Sequence, residues 1–277
     1  MVVVTGASTG LGAATARELA GRGFHVLAGV RRESDADAIR ANGVEPVMLD
    51  ITSSEQIAAL AARVEAGPAL RALVNNAGIA VNAPVEALPI DDWRWQFEVN
   101  LFGQVAVTQA LLPALLRNAG RVVNISSIGG RVALPTYGAY AGAKFALEAV
   151  SDALRREMKP HGLQVVVVEP GGVVTRLNGR AVATVRQLAD RMTAAQHRRH
   201  DGLIEAIISH SAAFTKAGTP ADRAAQVVAK AVTARKPRTR YTIGRDAALM
   251  TRVPRFVSDR VLDRMLAADL RPHFPKG

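Results

Sequence analysis

Tyr140 and Lys144 stand four residues apart in Tyr-Ala-Gly-Ala-Lys, a spacing that places a phenol and an ammonium on one face of a helix. A cation beside a phenol favours the phenolate, so the tyrosine pKa is expected to fall and Tyr140 to give and take a proton near neutral pH. A surface tyrosine beside a surface lysine would show the same spacing. Ser127, thirteen residues before the tyrosine, sharpens the chemical reading, because its hydroxyl can reach the same substrate oxygen. A second group of residues runs from Thr5 to Gly12 as T-G-A-S-T-G-L-G. Glycines allow a tight turn and close backbone approach to a pyrophosphate, and a following helix supplies unpaired N–H groups and a positive dipole. The spacing is G-x-x-x-G-x-G rather than G-x-G-x-x-G, so its place between a strand and a helix carries most of the weight.

Those residues need a frame. Apolar runs at 2–4, 25–30, 44–49, 73–74, 121–125, 163–168 and 240–243 read as strands. Amphipathic stretches between them, including 34–41, 53–64, 91–116, 137–158 and 219–234, read as helices, with Ser53 or Ser54 as a cap. Strands without polar alternation, separated by helices, predict an α/β fold: a Rossmann-type doubly wound parallel sheet of about seven strands in a single domain. Residues 176–214 break the rhythm as a mixed polar and apolar helical insertion. Residues 1–244 are expected to form the cofactor-binding catalytic unit, with 245–277 as a helical extension of it.

Composition narrows the functions. With 49% hydrophobic and 21% charged residues, the 277-residue chain can build a large core and is not a disordered protein. The absence of cysteine removes disulfides, thiolate metal sites and thiol catalysis. The six histidines show no metal-ligand spacing beyond His197 and His200 at i, i+3, so no metal is expected. No signal sequence and no run of about 18 apolar residues is apparent, so the expected address is the cytoplasm. The net charge of +11 is concentrated at the end, where residues 235–277 hold eleven basic and four acidic side chains. Without a nucleic-acid motif this reads as a solvated surface and not a nucleic-acid site. Pro254 should divide the tail into two helices, and Val257, Val261 and Met265 form a stripe that should be buried. Contact of the basic, apolar tail with an anionic membrane is the lesser reading.

The sequence resembles the short-chain dehydrogenases/reductases over nearly its whole length. The resemblance rests on Thr5–Gly12, N-N-A-G at 75–78, N-L-F-G from Asn100, I-S-S ending at Ser127, Y-A-G-A-K at 140–144 and P-G-G-V-V-T at 170–175. It implies Tyr140 as general acid and base, Ser127 as the group that polarises the carbonyl, and Lys144 on the nicotinamide ribose. It implies Asn100 as the holder of a water in a proton relay. Gly6, Ser8, Thr9, Gly10, Leu11 and Gly12 are implied at the pyrophosphate, and Asp50 and Ile51 near the adenine. Asn76, Ala77 and Gly78 are implied at the adenosine ribose, with Asn76 also bracing the sheet. Pro170, Gly171, Val173 and Thr175 are implied at the nicotinamide carboxamide. Val30 stands where NAD-selective members carry an acid, and Arg31 and Arg32 follow it, which favours NADP(H) over NAD(H). The long tail, S-I-G-G after the serine and G-V-R-R at 29–32 place the chain nearest the hydroxysteroid- and retinol-dehydrogenase-like members. That implies an apolar, medium-to-large ketone, aldehyde or alcohol, with Ser127, Leu134, Tyr137, Tyr140 and Leu177 at the substrate and Thr136 at the pocket wall. A 3-oxoacyl carrier-protein reductase is the nearest rival and lacks support in the closing segment. A non-catalytic NADP-binding regulator is the rival of another class, disfavoured by the complete set of Asn100, Ser127, Tyr140 and Lys144. The helices at 91–116 and 137–158 are expected to pair across a two-fold axis in a homodimer.

Overall fold

Val2, Val3 and Val4 are wholly buried and form the central strand β1 (Val2–Val4), as an unbroken apolar run must when helices cover both faces of a sheet. The computed structural model describes residues 1–275, and within them every side chain except those of Arg176, Leu177, Asn178, Arg180, Arg245 and Arg255. The chain continues through α1 (Gly10–Gly21), β2 (Val26–Val30), α2 (Glu33–Ile39), β3 (Val44–Met48), α3 (Ser54–Glu65) and β4 (Ala72–Asn75). Next come α4 (Ile90–Phe97), α5 (Gly103–Arg117), β5 (Arg121–Ile125), α6 (Gly138–Met158) and β6 (Gln164–Pro170). The last part holds β7 (Val173–Val174), α7 (Arg176–Ala189), α8 (Ala194–Lys216), β8 (Thr219–Pro220), α9 (Ala221–Thr233), β9 (Arg240–Ile243), α10 (Arg245–Met250) and α11 (Asp259–Leu270).

Seven parallel strands lie in the order β3-β2-β1-β4-β5-β6-β9, as the alternation of strand and helix predicts. Val2 pairs with Val26 on one side and Ala72 on the other. The order reverses between β1 and β4, so the ligand crevice of a doubly wound sheet opens at their carboxyl ends. Alternating side chains of β1 feed two cores. Val2 and Val4 join Leu19 of α1 and Val228 and Val232 of α9, while Val3 joins Leu60 of α3 and Leu111 and Leu115 of α5.

Three features depart from the sequence reading. The single helix expected at 91–116 is α4 and α5 joined by a π turn at Glu98–Phe102, which carries Asn100. This segment, 90–117, has a window of mean hydropathy 1.5, long and apolar enough to cross a membrane, yet 56% of that window is buried inside the protein, which marks it as a core helix. The second departure is a two-residue parallel ladder between β7 and β8, Val173 with Thr219, that closes the base of the α7–α8 insertion. The third concerns the tail. Pro254 does separate α10 from α11, within a 3₁₀ turn at Val253–Arg255. But Val261 and Met265 are each 42% exposed, whereas Leu270 is buried with Ala206 and Ile207 of α8, and Leu266 and Leu262, one and two turns before it, are half-buried. The leucine face therefore docks, and the expected valine–methionine stripe lies at its margin.

Candidate active site

Thr5, at the carboxyl end of β1, starts the first part of the site. Its Oγ1 accepts hydrogen bonds from the backbone of Asn76 at 3.0 Å and Ala77 at 2.9 Å. Asn76 Nδ2 returns two bonds, to the carbonyls of Thr5 at 2.9 Å and Gly6 at 3.0 Å. The end of β4 is thus stitched to the glycine loop. Asn75 adds a second brace: its Nδ2 donates to Asn124 of β5 at 2.9 Å and Thr108 of α5 at 2.8 Å. At Gly12 a Cβ would lie 2.3 Å from the Gly6 carbonyl oxygen and 2.4 Å from Asn76 Nδ2, so the loop closes on α1 only with glycine there. Helix α1 starts at Gly10 behind Thr9, with no side-chain cap and no acid in its first turn. Its free N–H groups and positive dipole suit an anion. Ser8 and Leu11 are half-buried beside this turn, and Gly78 is exposed near Asn100.

The outer cofactor residues separate into available and engaged groups. Val30 is buried at the end of β2, and Arg31 and Arg32 are exposed after it. Arg32 forms a forked pair with Asp35 at 2.8 and 2.9 Å, closing the start of α2. Arg31 makes no ion pair among the described residues, so it is the guanidinium open to a phosphate. Asp50 Oδ1 accepts from the backbone of Thr52 at 3.0 Å and its hydroxyl at 2.7 Å. The Ile51 side chain belongs to the core and packs against Gly103. Pro170 ends β6, Val173 is buried, and the Thr175 methyl lies 3.1 Å from where a Gly10 Cβ would be, which brings the 170–175 loop to the glycine turn. Gly171 faces Asp246 of α10 so closely that a Cβ would lie 2.5 Å from its carboxylate.

Ser127 caps a 3₁₀ turn, Ile128–Gly130, and its Oγ accepts from Gly129 N at 3.0 Å. The same hydroxyl and the ring of Tyr140, in the first turn of α6, both lie against Gly129: a Cβ there would be 3.4 Å from Ser127 Oγ and 3.1 Å from Tyr140 Cε1. Lys144, one turn further, is buried, and its Nζ donates to the Ile125 carbonyl at 2.8 Å. Burial lowers its pKa to about 8, against the opposing charge of Glu148. Burial raises the Tyr140 pKa, the Ser127 hydroxyl opposes that, and Tyr137 adds to the rise. The lowered phenol pKa expected from the lysine spacing is therefore overturned. Desolvation is the larger influence, and the ammonium is drawn to the Ile125 carbonyl. Tyr140 is a neutral phenol at pH 7 and a proton donor.

Asn100 meets Ile79 with both ends of its amide: Nδ2 donates to the carbonyl and Oδ1 accepts from the N–H, each at 2.8 Å. Its side chain thereby holds the segment after β4. Gln96 and Gln104, four residues to either side, hold the same segment through Val81, Ile79 and Ala77. These two amides escaped the sequence reading, although polar residues at i, i+4 and i+8 in an apolar helix were a visible sign.

Beyond Tyr140 lies a narrow crevice of about 10 Å³, lined by Asn82, Tyr137, Ala181, Val182, Val185, Ile207, Ile208 and Ser211. Tyr137 joins it to the Tyr140 phenol through an edge-on ring contact, centroids 6.1 Å apart, and lines it together with Ser211. Val182, Val185, Ile207 and Ile208 of the α7–α8 insertion border it. Asn82 and Ser211 were not anticipated. Asn82 Oδ1 is buried without a hydrogen-bond partner among the described residues and can accept from a substrate hydroxyl. Leu134 is half-buried before Tyr137 and outside the cavity lining, and the Leu177 side chain lies outside the described residues. Thr136 is buried at φ +68°, a costly conformation for a β-branched residue, at the entry of the catalytic helix. His197 pairs with Asp201, and His200 with Glu86, so each contacts a carboxylate. The wider surface groove between α1 and α9, lined by Arg17, Glu18, Arg22 and Asp222, contains none of the residues that carry chemistry.

The sequence of residues 1–187 matches the family described as short chain dehydrogenase. Among curated proteins, the chain is 36% identical to retinol dehydrogenase 7 of Mus musculus, over 94% of this chain and 87% of that one. It is 31% identical to an NADPH-dependent 3-dehydrocapnine reductase of Ornithobacterium rhinotracheale, over 97% and 96%. A Burkholderia cenocepacia short chain dehydrogenase solved with NADP superposes with a TM-score of 0.73 at 28% identity, over 97% of this chain and 96% of that one. A Burkholderia phymatum relative solved with NAD shares the fold, with a TM-score of 0.75 at 22% identity, over 100% and 97%.

Proposed function

The chain belongs to the short-chain dehydrogenase family, and on that premise we propose that it interconverts an apolar ketone or aldehyde with its alcohol, using NADP(H) in preference to NAD(H). The observation that carries this reading is the meeting of the Ser127 hydroxyl and the Tyr140 ring around Gly129, beside buried Lys144 and next to an apolar crevice. Gly6 to Gly12 and the start of α1 fit a pyrophosphate, Arg31 a 2′-phosphate, Lys144 and Tyr140 a ribose, and the 170–175 loop a carboxamide. When bound, the nicotinamide supplies or accepts the hydride. The protein's part is to place and protonate the carbonyl. Ser127 orients the substrate oxygen, and Tyr140 delivers the proton to it in reduction, or removes it in oxidation. The Lys144 ammonium lies one helical turn away, where positive charge stabilises a phenolate formed after that delivery. Its lowered proton affinity makes this help strongest below about pH 8.

The lid supports an apolar substrate, since its cavity wall is alanine, valine and isoleucine with Asn82 and Ser211 as polar contacts. About 10 Å³ is far below the roughly 300–1,000 Å³ of sites that enclose drug-sized ligands, so any such substrate requires α7 and α8 to shift outward. Arg31 and buried Val30, and the NADPH dependence in the name of one relative, support the cofactor preference. Trp95, Phe102 and Phe145, each at least 41% exposed on α4 to α6, support a homodimer through these helices. A panel of aliphatic, aromatic and steroid-like ketones, run with NADPH and NADH, tests the activity. Reduction of apolar ketones with a lower KM for NADPH is the expected result. No turnover of any carbonyl or alcohol, with either cofactor bound, would refute the enzymatic reading. Light scattering tests the dimer.

A further inference from the structure

Glu148 and Glu169 are 4% and 3% exposed, so both carboxylates are held out of water. They share two guanidinium groups. Glu148 Oε2 accepts from Arg240 Nε at 3.1 Å and Nη2 at 3.0 Å, and lies 3.1 Å from Arg131 Nη2. Glu169 Oε1 accepts from Arg131 Nε at 2.8 Å and lies 3.5 Å from Arg240 Nε. Asp152, one turn past Glu148, takes another bond from Arg240 at 2.9 Å. Exchanging such a cluster for apolar groups of equal volume is often neutral or stabilising, so stability is a weak reason for its presence.

The elements it joins give a stronger reason. Arg131 directly follows the 3₁₀ turn that Ser127 caps. Glu169 precedes Pro170 and the loop to Thr175. Glu148 stands four residues beyond Lys144, on the same face of α6. Arg240 opens the edge strand β9. The turn lies so tightly on α6 that a Cβ at Gly130 would be 2.7 Å from Ser126 Oγ and 3.1 Å from Glu148 Cγ. Lys144 itself has burial acting against its charge, the Ile125 carbonyl at its Nζ, and Glu148 as the anion in its favour. The charged groups facing Glu148 are Glu169 from β6, Arg131 from the turn, Arg240 from β9, and Lys144 and Asp152 from α6, with the Ser126 hydroxyl beside it.

We propose that Glu148 is a positioning residue of the reaction: it acts through Lys144, keeping that side chain protonated at working pH, while Arg131 and Arg240 lock the Ser127 turn and the 170–175 loop against α6. This rests on the reading of Lys144 as the charged group that meets the cofactor and assists Tyr140.

The test measures two things from pH 6 to 10. One is NADPH binding by fluorescence. The other is the titration of Lys144 by NMR of lysine-labelled protein, its resonance assigned with Lys144→Met. Glu148→Gln should move the Lys144 midpoint down by about one pH unit, and the high-pH limit of NADPH binding with it. Arg131→Met leaves the Glu148 charge less neutralised and should move both midpoints up. Opposite movements cannot come from general loosening of the fold. Glu148→Asp keeps the charge and should keep the wild-type midpoint. If Glu148→Gln does not fold, the upward movement in Arg131→Met carries the test. Equal Lys144 midpoints in all folded variants would overturn the proposal. Midpoints that move while wild type binds neither NADPH nor NADH would instead remove the functional reading, and with it Glu148's part in the reaction.

Discussion

Replacing Lys144 by methionine takes an ammonium out of a buried position while keeping a similar side-chain volume, and the consequences have a definite sign. Folded, Lys144 gives up its proton at about pH 8, against 10.5 for an ordinary lysine. Between those values the unfolded chain holds more protons than the folded one, so wild-type stability rises with pH across that window. Below about pH 8 the whole cost is present, about 3 kcal/mol at roughly 1.4 kcal/mol per pH unit. The methionine variant escapes this cost but leaves the Ile125 carbonyl without its 2.8 Å donor, a loss of about 1 kcal/mol. Lys144→Met should therefore be more stable than wild type by about 2 kcal/mol at pH 7, or roughly 4–8 °C in Tm. The advantage should vanish, or turn slightly negative, near pH 10.5. Urea melts at pH 6.5, 7.5, 9 and 10.5, at one protein concentration and with equal m values, would measure it. Turnover should be lost at every pH, as a residue kept for function at the expense of stability requires. A stability difference that does not change with pH, or a variant weaker than wild type at pH 6.5, would refute the reasoning.

Tyr140→Phe should still bind NADPH, held by Lys144, Arg31 and the glycine loop, and lose roughly 100- to 10,000-fold in turnover, since the phenol delivers the proton; wild-type turnover would discard the mechanism. Arg31→Asp should weaken NADPH binding about 10- to 100-fold and spare NADH, the range expected for losing a charge-assisted hydrogen bond. Competitive binding of both nucleotides checks this, and equal weakening would show that Arg31 does not read the phosphate. Leu270→Ala removes the side chain that backs Ile207 and Tyr137, in a tail also held by His210 with Asp269 at 2.9 Å and Ser209 with His273 at 3.0 Å. It should raise KM and speed hydrogen exchange across residues 200–211 while leaving kcat near wild type; unchanged exchange would separate the tail from the lid.

What the sequence discloses of this site follows the distance over which its residues cooperate. Ser127, Tyr140 and Lys144 act within one turn and one helix, so their spacing is enough to show them. The glycine loop is similarly local, and the alternation of apolar runs with amphipathic helices suffices for the sheet. Spacing conveys proximity but not solvation, which is why it misjudges the sign of the Tyr140 shift. The phenol and its lysine are both buried, and burial acts on them more strongly than they act on each other. The amphipathic pattern of the tail likewise shows that α11 must dock without showing which of two adjoining apolar faces meets α8.

The residues that escaped notice depend on sheet order. Arg131 reaches Glu169 across 38 residues and Arg240 reaches Glu148 across 92, contacts that exist because β5, β6 and β9 are neighbours. In the linear sequence each is an ordinary charge on an element that already has enough of them. Only when β9 is laid beside β6 do two buried acids find two bases, behind the turn and helix that hold the catalytic hydroxyls. The edge strand, unremarkable in sequence, is thereby coupled to the chemistry at the crevice. A substitution at Arg240 should accordingly be felt at Ser127 and Lys144, although no part of β9 contributes a reacting group.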